Sequence, residues 1–201
     1  MSTKHNRFQR IHDIRRYRPR VVIITEGRVT EPAYLRKLQA LYPDVHLELR
    51  TQNTQSAPHY LIKRITDALG KAPLEARDRA WLILDTDKWT PAQIETIRQW
   101  QSQDKRHLVG MSNPSFEYWV LLHFEAGAGV STPEQVSRAL QRYLPQYTKH
   151  LDGLVLTPDR VQRASEHART RHRMHDTTVL PPPAGNTTMY VLVEGLGIIG
   201  T

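Results

Sequence analysis

The chain of 201 residues contains no cysteine, which excludes disulfide bonds, zinc sites with thiolate ligands and a cysteine nucleophile. It has no apolar run near the roughly 18–20 residues that a membrane-spanning helix needs. No apolar signal-peptide core follows the basic N-terminus. These absences predict a soluble, cytoplasmic protein without membrane association. The length suits one domain, or one domain with an appended segment.

Positive charge is concentrated in two segments of a chain whose formal net charge is +8. Residues 1–20 carry seven Lys and Arg against one Asp, and residues 160–173 carry five Arg against one Glu. The remainder is mildly acidic. Two basic segments around an acidic middle indicate a polyanionic partner such as nucleic acid. Each segment alone is equally compatible with a solvated arm or a solvated helix face.

Strands and helices alternate in the pattern of apolar residues up to about residue 125. Continuous apolar runs predict buried strands, and apolar residues spaced by three or four predict helices. The predicted strands are Val21–Thr25, His46–Arg50, Trp81–Leu84 and a short one at His107–Met111. The predicted helices are a helix opening at Glu31-Pro32, Pro58–Leu69, Pro91–Trp100 and a long one at Phe116–Phe124. This order predicts an α/β fold with a mostly parallel four-stranded sheet flanked by helices.

Three segments are predicted along the chain. Residues 1–20 form a basic N-terminal arm, residues 21–130 form the α/β catalytic domain, and residues 131–201 form a helical extension packed on it. Helical periodicity is clear in PEQVSRALQRYL and in the arginine-rich stretch that follows. The pattern VLVEGLGII fits a helix or a strand, and a helix is favoured near residues 187–196.

Carboxylates follow two of the predicted strands. Glu26 comes directly after the first strand, and Asp85 and Asp87 lie at and just past the end of the third. Ligands bind at the carboxyl ends of strands in open α/β sheets, and residues spaced by two in extended chain face the same way. Carboxylates about 4 Å apart repel by roughly 4 kcal/mol per pair at an effective dielectric constant of 20. A hard cation removes that repulsion, so the pattern predicts a site for Mg²⁺, with Mn²⁺ as the second candidate.

Each carboxylate motif also has a structural interpretation when it is taken alone. Glu26-Gly27 fits a tight turn between a strand and a helix, and Asp85-x-Asp87 fits a turn or a helix cap. Glu31, at a helix start, is interpreted first as a residue that stabilises the helix dipole. Glu117, after the candidate N-cap Ser115, is either a metal or supporting ligand or a helix stabiliser.

Two cationic residues lie beside these carboxylates in the sequence. Arg28, in the loop just after Glu26, is predicted to bind a substrate phosphate through two parallel hydrogen bonds. Lys88 follows Asp87 and is predicted to bind a phosphate as a point charge.

The histidines form no recognisable metal site. His123 is interpreted as a core or capping residue, and the spacing of His172 and His175 is compatible with a ligand pair that no carboxylate cluster supports.

Three motifs together resemble a known family. They are IITEGRVTEPAYL, WLILDTDKW and SNPSFEYWVLLHF, within residues 20–126, with a weaker match at AGNTTMYVLVEGL. The chain resembles the RloB family, also called AbiLii-like, and TEG followed by DTD is similar to the Toprim arrangement of primases, topoisomerases and small nucleases. The resemblance implies a Toprim-like (Rossmann-like) fold. It also implies a catalytic set of Glu26, Asp85 and Asp87, with Glu26 as general acid/base and the two aspartates on Mg²⁺.

The expected function is a Mg²⁺-dependent nuclease that hydrolyses RNA, with tRNA as one candidate, or DNA. The resemblance implies a role as the toxic effector of a phage-defence or abortive-infection system with an AAA-type or ABC-type ATPase partner; a homodimer is one candidate assembly. The chain has no P-loop of its own. The alternative is a non-catalytic adaptor that binds an ATPase partner or a nucleotide. A phosphotransferase or phosphatase acting on small molecules is a third hypothesis, and the basic ends favour a polymer over it.

Overall fold

A computed structural model of the chain describes residues 18–51, 57–86, 89–175 and 180–197, and the side chains of residues 173–175 lie outside that description. Most of the predicted basic arm, and Asp87 and Lys88, also lie outside the described residues. The strands in this part of the chain are β1 (Arg20–Thr25), β2 (His46–Arg50), β3 (Arg79–Asp85), β4 (His107–Asn113) and β5 (Asn186–Thr187). The helices there are α1 (Thr30–Leu41), α2 (Pro58–Lys71), α3 (Pro91–Ser102), α4 (Phe116–Leu121), α5 (Pro133–Gln141), α6 (Pro158–His175) and α7 (Met189–Gly195).

The strands form one sheet in the order β2-β1-β3-β4-β5. Neighbouring strands from β2 to β4 are parallel, and β5 pairs antiparallel with β4. In the register of the sheet, Thr25 lies opposite Ile83, and Asp85 lies opposite Ser112. The carboxyl ends of β1, β3 and β4 therefore meet at one edge. The fold is a Rossmann-like α/β fold, as predicted.

Helices cover both faces of the sheet because the central strands are apolar on both sides. Val21 and Ile23 point to one face, where they pack with α1 and with α4 to α7. Val22 and Ile24 point to the other face, where they pack with α2 and α3. Burying an aliphatic side chain of this size contributes about 1.5–3 kcal/mol. Residues from α5 to α7 share the core of the first face. The bounds of the three predicted segments stay predictions.

None of the described helices is both long and apolar enough to cross a membrane.

The sheet has one more strand than predicted. β5 consists of Asn186 and Thr187, two polar residues that are buried. Ser112 and Thr187 share a hydrogen bond of 2.8 Å between their hydroxyl oxygens, and Thr188 Oγ1 accepts a hydrogen bond from Met111 N at 2.9 Å. A polar pair gives no apolar or alternating pattern, so nothing in the local sequence predicts this strand. The helix favoured near residues 187–196 is confirmed as α7.

The predicted helix Phe116–Phe124 is too long, because α4 ends at Leu121. His123 Nδ1 lies 3.0 Å from Trp119 O and donates to it, and this carbonyl is the one that His123 N would use in a continued α-helix. His123 N instead donates to Val120 O at 3.2 Å, so the chain tightens into turns. The start at Phe116 is confirmed, with Ser115 at the N-cap position, although the Ser115 side chain makes no capping hydrogen bond. β4 runs on to Asn113, two residues beyond the predicted end of that strand.

His123 is a core residue, as predicted. Its ring is buried, with Nδ1 donating to Trp119 O and Nε2 accepting from the Tyr34 hydroxyl at 3.1 Å. Both bonds suit the neutral ring that carries its proton on Nδ1. Burial lowers the pKa of His123 from its ordinary value of 6.5 to about 4. The neutral form is therefore part of the folded state.

We expect His123 to make the folded state sensitive to acid. The pKa of His123 is lower in the folded than in the unfolded chain. Its contribution to the free energy of unfolding is therefore complete above pH 6.5 and is lost as the pH falls towards 4. The linkage amounts to about 2 kcal/mol of unfolding free energy at pH 5. Denaturant unfolding near pH 7.5 and near pH 5 measures it. Glutamine cannot titrate, so the fall in unfolding free energy from pH 7.5 to pH 5 will be smaller in His123→Gln by that amount. An equal fall in both proteins would contradict the assignment of this acid sensitivity to His123.

Candidate functional site

The candidate site lies where the chain changes direction across the sheet. From β1 the chain crosses through α1 to β2 on one side, and it later returns through α2 to β3 on the other side of β1. Such a switch point opens a crevice at the carboxyl ends of the two strands, and α/β proteins bind ligands there. Glu26 follows β1, and Asp85 is the last residue of β3. Both side chains are partly buried.

Glu26 and Asp85 are in direct contact. Glu26 Oε2 accepts a hydrogen bond of 3.1 Å from Asp85 N. Glu26 N donates to Ile83 O at 2.9 Å, which extends the pairing of β1 and β3 by one bond. On the other side, the Trp89 indole N–H donates to Asp85 O. The structure thus brings together two of the three predicted catalytic residues.

The turn after Glu26 is held by a buried carboxylate. Glu31 lies in the first turn of α1 and is 4% exposed, and its Oε1 accepts a hydrogen bond of 2.8 Å from Gly27 N. A Cβ atom at Gly27 would lie 2.0 Å from Glu31 Oε2, so a side chain here would displace the buried Glu31 carboxylate. Burial raises the pKa of Glu31, and the neighbouring Glu117 carboxylate adds to this, whereas the Gly27 N–H and Lys149 oppose it. Besides lying at the helix start, as expected, Glu31 fixes the backbone beside Glu26.

Glu117 lies beside Glu31 and joins the site to a distant part of the chain. Glu117 Oε1 accepts hydrogen bonds from Thr30 Oγ1 at 3.2 Å and from the Tyr147 hydroxyl at 3.1 Å. Burial and the adjacent Glu117 carboxylate raise the pKa of Tyr147, which keeps the hydroxyl protonated as a donor. Sequence reasoning missed Tyr147, because it lies 30 residues beyond Glu117 and outside every motif.

The metal-binding set is only partly described. Among the described residues, no group of three or more His, Cys, Asp or Glu side chains lies close enough to hold a metal ion. Glu26, Asp85 and Glu117 therefore do not form such a group. Asp87, the third predicted ligand, lies outside the described residues. Its role, like that of Glu117 as a ligand, stays a prediction.

The cationic residues predicted to bind a polyanion differ in their exposure and in their contacts within the chain. Arg28 is exposed in the loop between β1 and α1, and Lys88 lies outside the described residues. In the arginine-rich helix α6, Arg171 donates to Gly127 O at 2.9 Å and Gly185 O at 3.1 Å, and Arg169 pairs with Glu194. These two arginines stabilise contacts within the chain.

The fold, with Glu26 and Asp85 at the carboxyl ends of β1 and β3, defines an α/β protein with acidic residues at its switch point. The family described as RloB-like protein matches residues 21–196, and the chain belongs to this family. The match extends beyond the three sequence motifs, which lie within residues 20–126, and includes Tyr147, α6 and α7. No curated protein and no solved structure matches the chain.

We expect Gly27→Ala to destabilise the protein by about 1–3 kcal/mol, because the new methyl group overlaps the buried Glu31 carboxylate. The cause is tested by a double-mutant cycle with Glu31→Ala, followed by denaturant unfolding. The cost of Gly27→Ala will be smaller in the Glu31→Ala background, where the overlapping atoms are gone. Equal costs in both backgrounds would place the strain elsewhere. Gly70→Ala is the matched control, since a Cβ atom there meets nothing within 4 Å.

Proposed function

We propose that the chain is a metal-dependent nuclease that hydrolyses phosphodiester bonds in RNA or DNA, with its reaction centre at Glu26 and Asp85. The observation that supports this most is the contact between these two residues at the switch point of the sheet, with 3.1 Å between Glu26 Oε2 and Asp85 N. The resemblance of TEG and DTD to the Toprim arrangement adds the expected chemistry.

The donor set of the site fits Mg²⁺, with Mn²⁺ as the second candidate. Glu26 and Asp85 offer hard carboxylate oxygens, and Mg²⁺ is held in many enzymes by one or two carboxylates together with water and substrate phosphates. Asp87 is the proposed third ligand, two residues after Asp85. When bound, the metal would neutralise charge on the phosphate and lower the pKa of a water molecule.

Glu26 is proposed as the general acid/base. Its hydrogen bond to Asp85 N and the Glu31 bond to Gly27 N fix the carboxylate and the backbone that carries it. A fixed, partly buried carboxylate can take up or deliver a proton at the reacting oxygen without the free-energy cost of reorienting its side chain. Groups of this kind typically contribute a factor of about 10²–10⁴ to the rate.

The substrate and partners follow from charge and from the family resemblance. Arg28, exposed next to the Glu26 turn, is proposed to bind a substrate phosphate, and Lys88 is proposed for the same role. The excess positive charge of the chain favours a nucleic acid, tRNA included, over a small molecule. The resemblance suggests a cytoplasmic antiviral role with an ATPase partner. A homodimer is also compatible with this role.

We expect Glu26→Gln and Asp85→Asn each to lower nuclease activity by about 10²-fold or more, because each removes a charge at the proposed reaction centre. The assay uses purified protein with total RNA and with plasmid DNA, in Mg²⁺, in Mn²⁺ and in EDTA. Asp67→Asn is the matched control, since this exposed carboxylate on α2 pairs only locally with Lys63. Thermal unfolding verifies that each variant is folded.

The outcomes separate the two main hypotheses. Cleavage that needs a divalent metal and disappears in both site variants supports the nuclease, and the polymer that is cut identifies the substrate class. Cleavage that survives in both variants would move the reaction centre away from this edge. A folded wild-type protein that cuts neither polymer, with or without the ATPase partner, supports the non-catalytic adaptor.

A further inference from the structure

The connection between α5 and α6 (residues 142–157) reaches the candidate site from a distant part of the sequence. The Tyr147 hydroxyl donates to Glu117 Oε1 at 3.1 Å, and the same oxygen accepts from Thr30 Oγ1, at the start of α1. Glu31 follows Thr30 and holds Gly27 N at 2.8 Å, next to Glu26. A continuous set of contacts therefore links this connection to the proposed general acid/base.

The part of the connection after Tyr147 has a defined conformation. Tyr147 N donates to Leu144 O at 2.9 Å, and Leu151 N donates to Thr148 O at 3.0 Å. Leu151 is buried in the core although its φ is 56°, in the left-handed region that side-chain-bearing residues rarely adopt. Such a conformation persists only where the surrounding structure imposes it. The short turn between Tyr147 and Leu151 is thus anchored on both sides.

Lys149 stands at the outer side of this anchored turn. Its side chain is exposed, and no carboxylate of the described residues lies within ion-pair distance of it. Lys149 comes two residues after Tyr147, whose hydroxyl bonds Glu117 Oε1 at 3.1 Å, so the turn places it beside the site. In agreement with that placement, the Lys149 ammonium lowers the pKa of Glu31. Lys149 is therefore a cation held near the carboxylates and open to solvent.

A polyanion that approaches this edge meets the partly buried carboxylates of Glu26, Asp85 and Glu117, which repel its phosphates. An exposed ammonium beside them offsets that repulsion at one place, and a lysine can meet a phosphate there as a point charge. Of the cations in residues 142–157, Arg142 is already paired with Glu125. That leaves the ammonium of Lys149 to meet an incoming phosphate.

We propose that the α5–α6 connection is a binding arm for the phosphate backbone of the substrate, with Lys149 contacting a phosphate close to the bond on which Glu26 acts. This inference rests on the proposed function and adds to it a substrate-binding residue outside the three sequence motifs. The backbones of RNA and DNA share this chemistry, so the test includes both polymers.

The test measures binding without cleavage. Fluorescence anisotropy in EDTA follows labelled single-stranded RNA and DNA of the same sequence, across a range of salt concentrations. For Lys149→Ala we expect weaker binding and a slope of log K against log salt that is shallower by about 0.7, as for one lost phosphate contact on a single strand. Lys149→Arg will keep the slope. Lys105→Ala, an exposed lysine just before the amino end of β4 at the opposite edge of the sheet, will leave both quantities unchanged.

A second variant tests the placement of the lysine. Tyr147→Phe removes only the hydroxyl that bonds Glu117, so it will weaken binding in the wild-type background and have little further effect with Lys149→Ala. In cleavage assays, Lys149→Ala will raise KM more than it lowers kcat, which a general loss of folded protein would not do.

The possible results distinguish this inference from the function on which it rests. Wild-type affinity and slope in Lys149→Ala would overturn the arm, while metal-dependent cleavage lost in Glu26→Gln would still support the nuclease. Wild-type protein that binds neither RNA nor DNA in EDTA, and cuts neither in Mg²⁺ or Mn²⁺, would overturn both. Wild-type protein that binds but does not cut would overturn only the nuclease, and the slope of Lys149→Ala would still decide the arm.

Discussion

The parallel pairing of β1 with β3 is the constraint on which the rest of the site depends. With Thr25 opposite Ile83, Glu26 reaches Asp85 N across the two strand ends. A shift of one residue would turn every side chain of β1 to the other face and would exchange the apolar sets that pack with α1 and with α2. The pairing of β1 with β2 on one side and with β3 on the other holds this register, and the contact between the two acidic residues follows from it.

A second constraint is the burial of Glu31. Removing a carboxylate from water is unfavourable unless hydrogen bonds replace the lost solvation, and here the N–H groups of Gly27 and of Glu31 itself supply part of that replacement. The arrangement leaves no room for a side chain at Gly27. Glu117 adds repulsion, and its own charge is stabilised by two hydrogen bonds that its Oε1 accepts, one from the Thr30 hydroxyl on α1 and one from the Tyr147 hydroxyl. The C-terminal part of the chain thus completes the surroundings of the N-terminal motif.

Much of this fold was predictable from the sequence, because buried parallel strands are continuous apolar runs and the residues that end them are polar. β1 to β4 and the positions of Glu26 and Asp85 follow from that rule. Other features depend on contacts between distant residues and leave no local pattern. β5 is a buried polar pair that is held by its pairing with β4. α4 is shortened because the ring of His123 donates a hydrogen bond to the carbonyl of Trp119. Tyr147 bonds Glu117, which lies 30 residues earlier in the chain.

In α6, charge density along the sequence does not separate cations that are free to bind a polyanion from cations that are paired within the fold. An arginine carries five N–H donors, so it serves a buried carbonyl as well as a phosphate. In α6, Arg171 bonds two backbone carbonyls, and Arg169 pairs with Glu194, so both are committed within the fold. Lys149 belongs to no basic run, yet it comes two residues after Tyr147, which bonds Glu117, and its side chain is exposed. Arg169 and Arg171 are occupied by partners within the chain, whereas the exposed ammonium of Lys149 pairs with no carboxylate of the described residues. The proposed phosphate contact is therefore assigned to Lys149 and not to these two arginines.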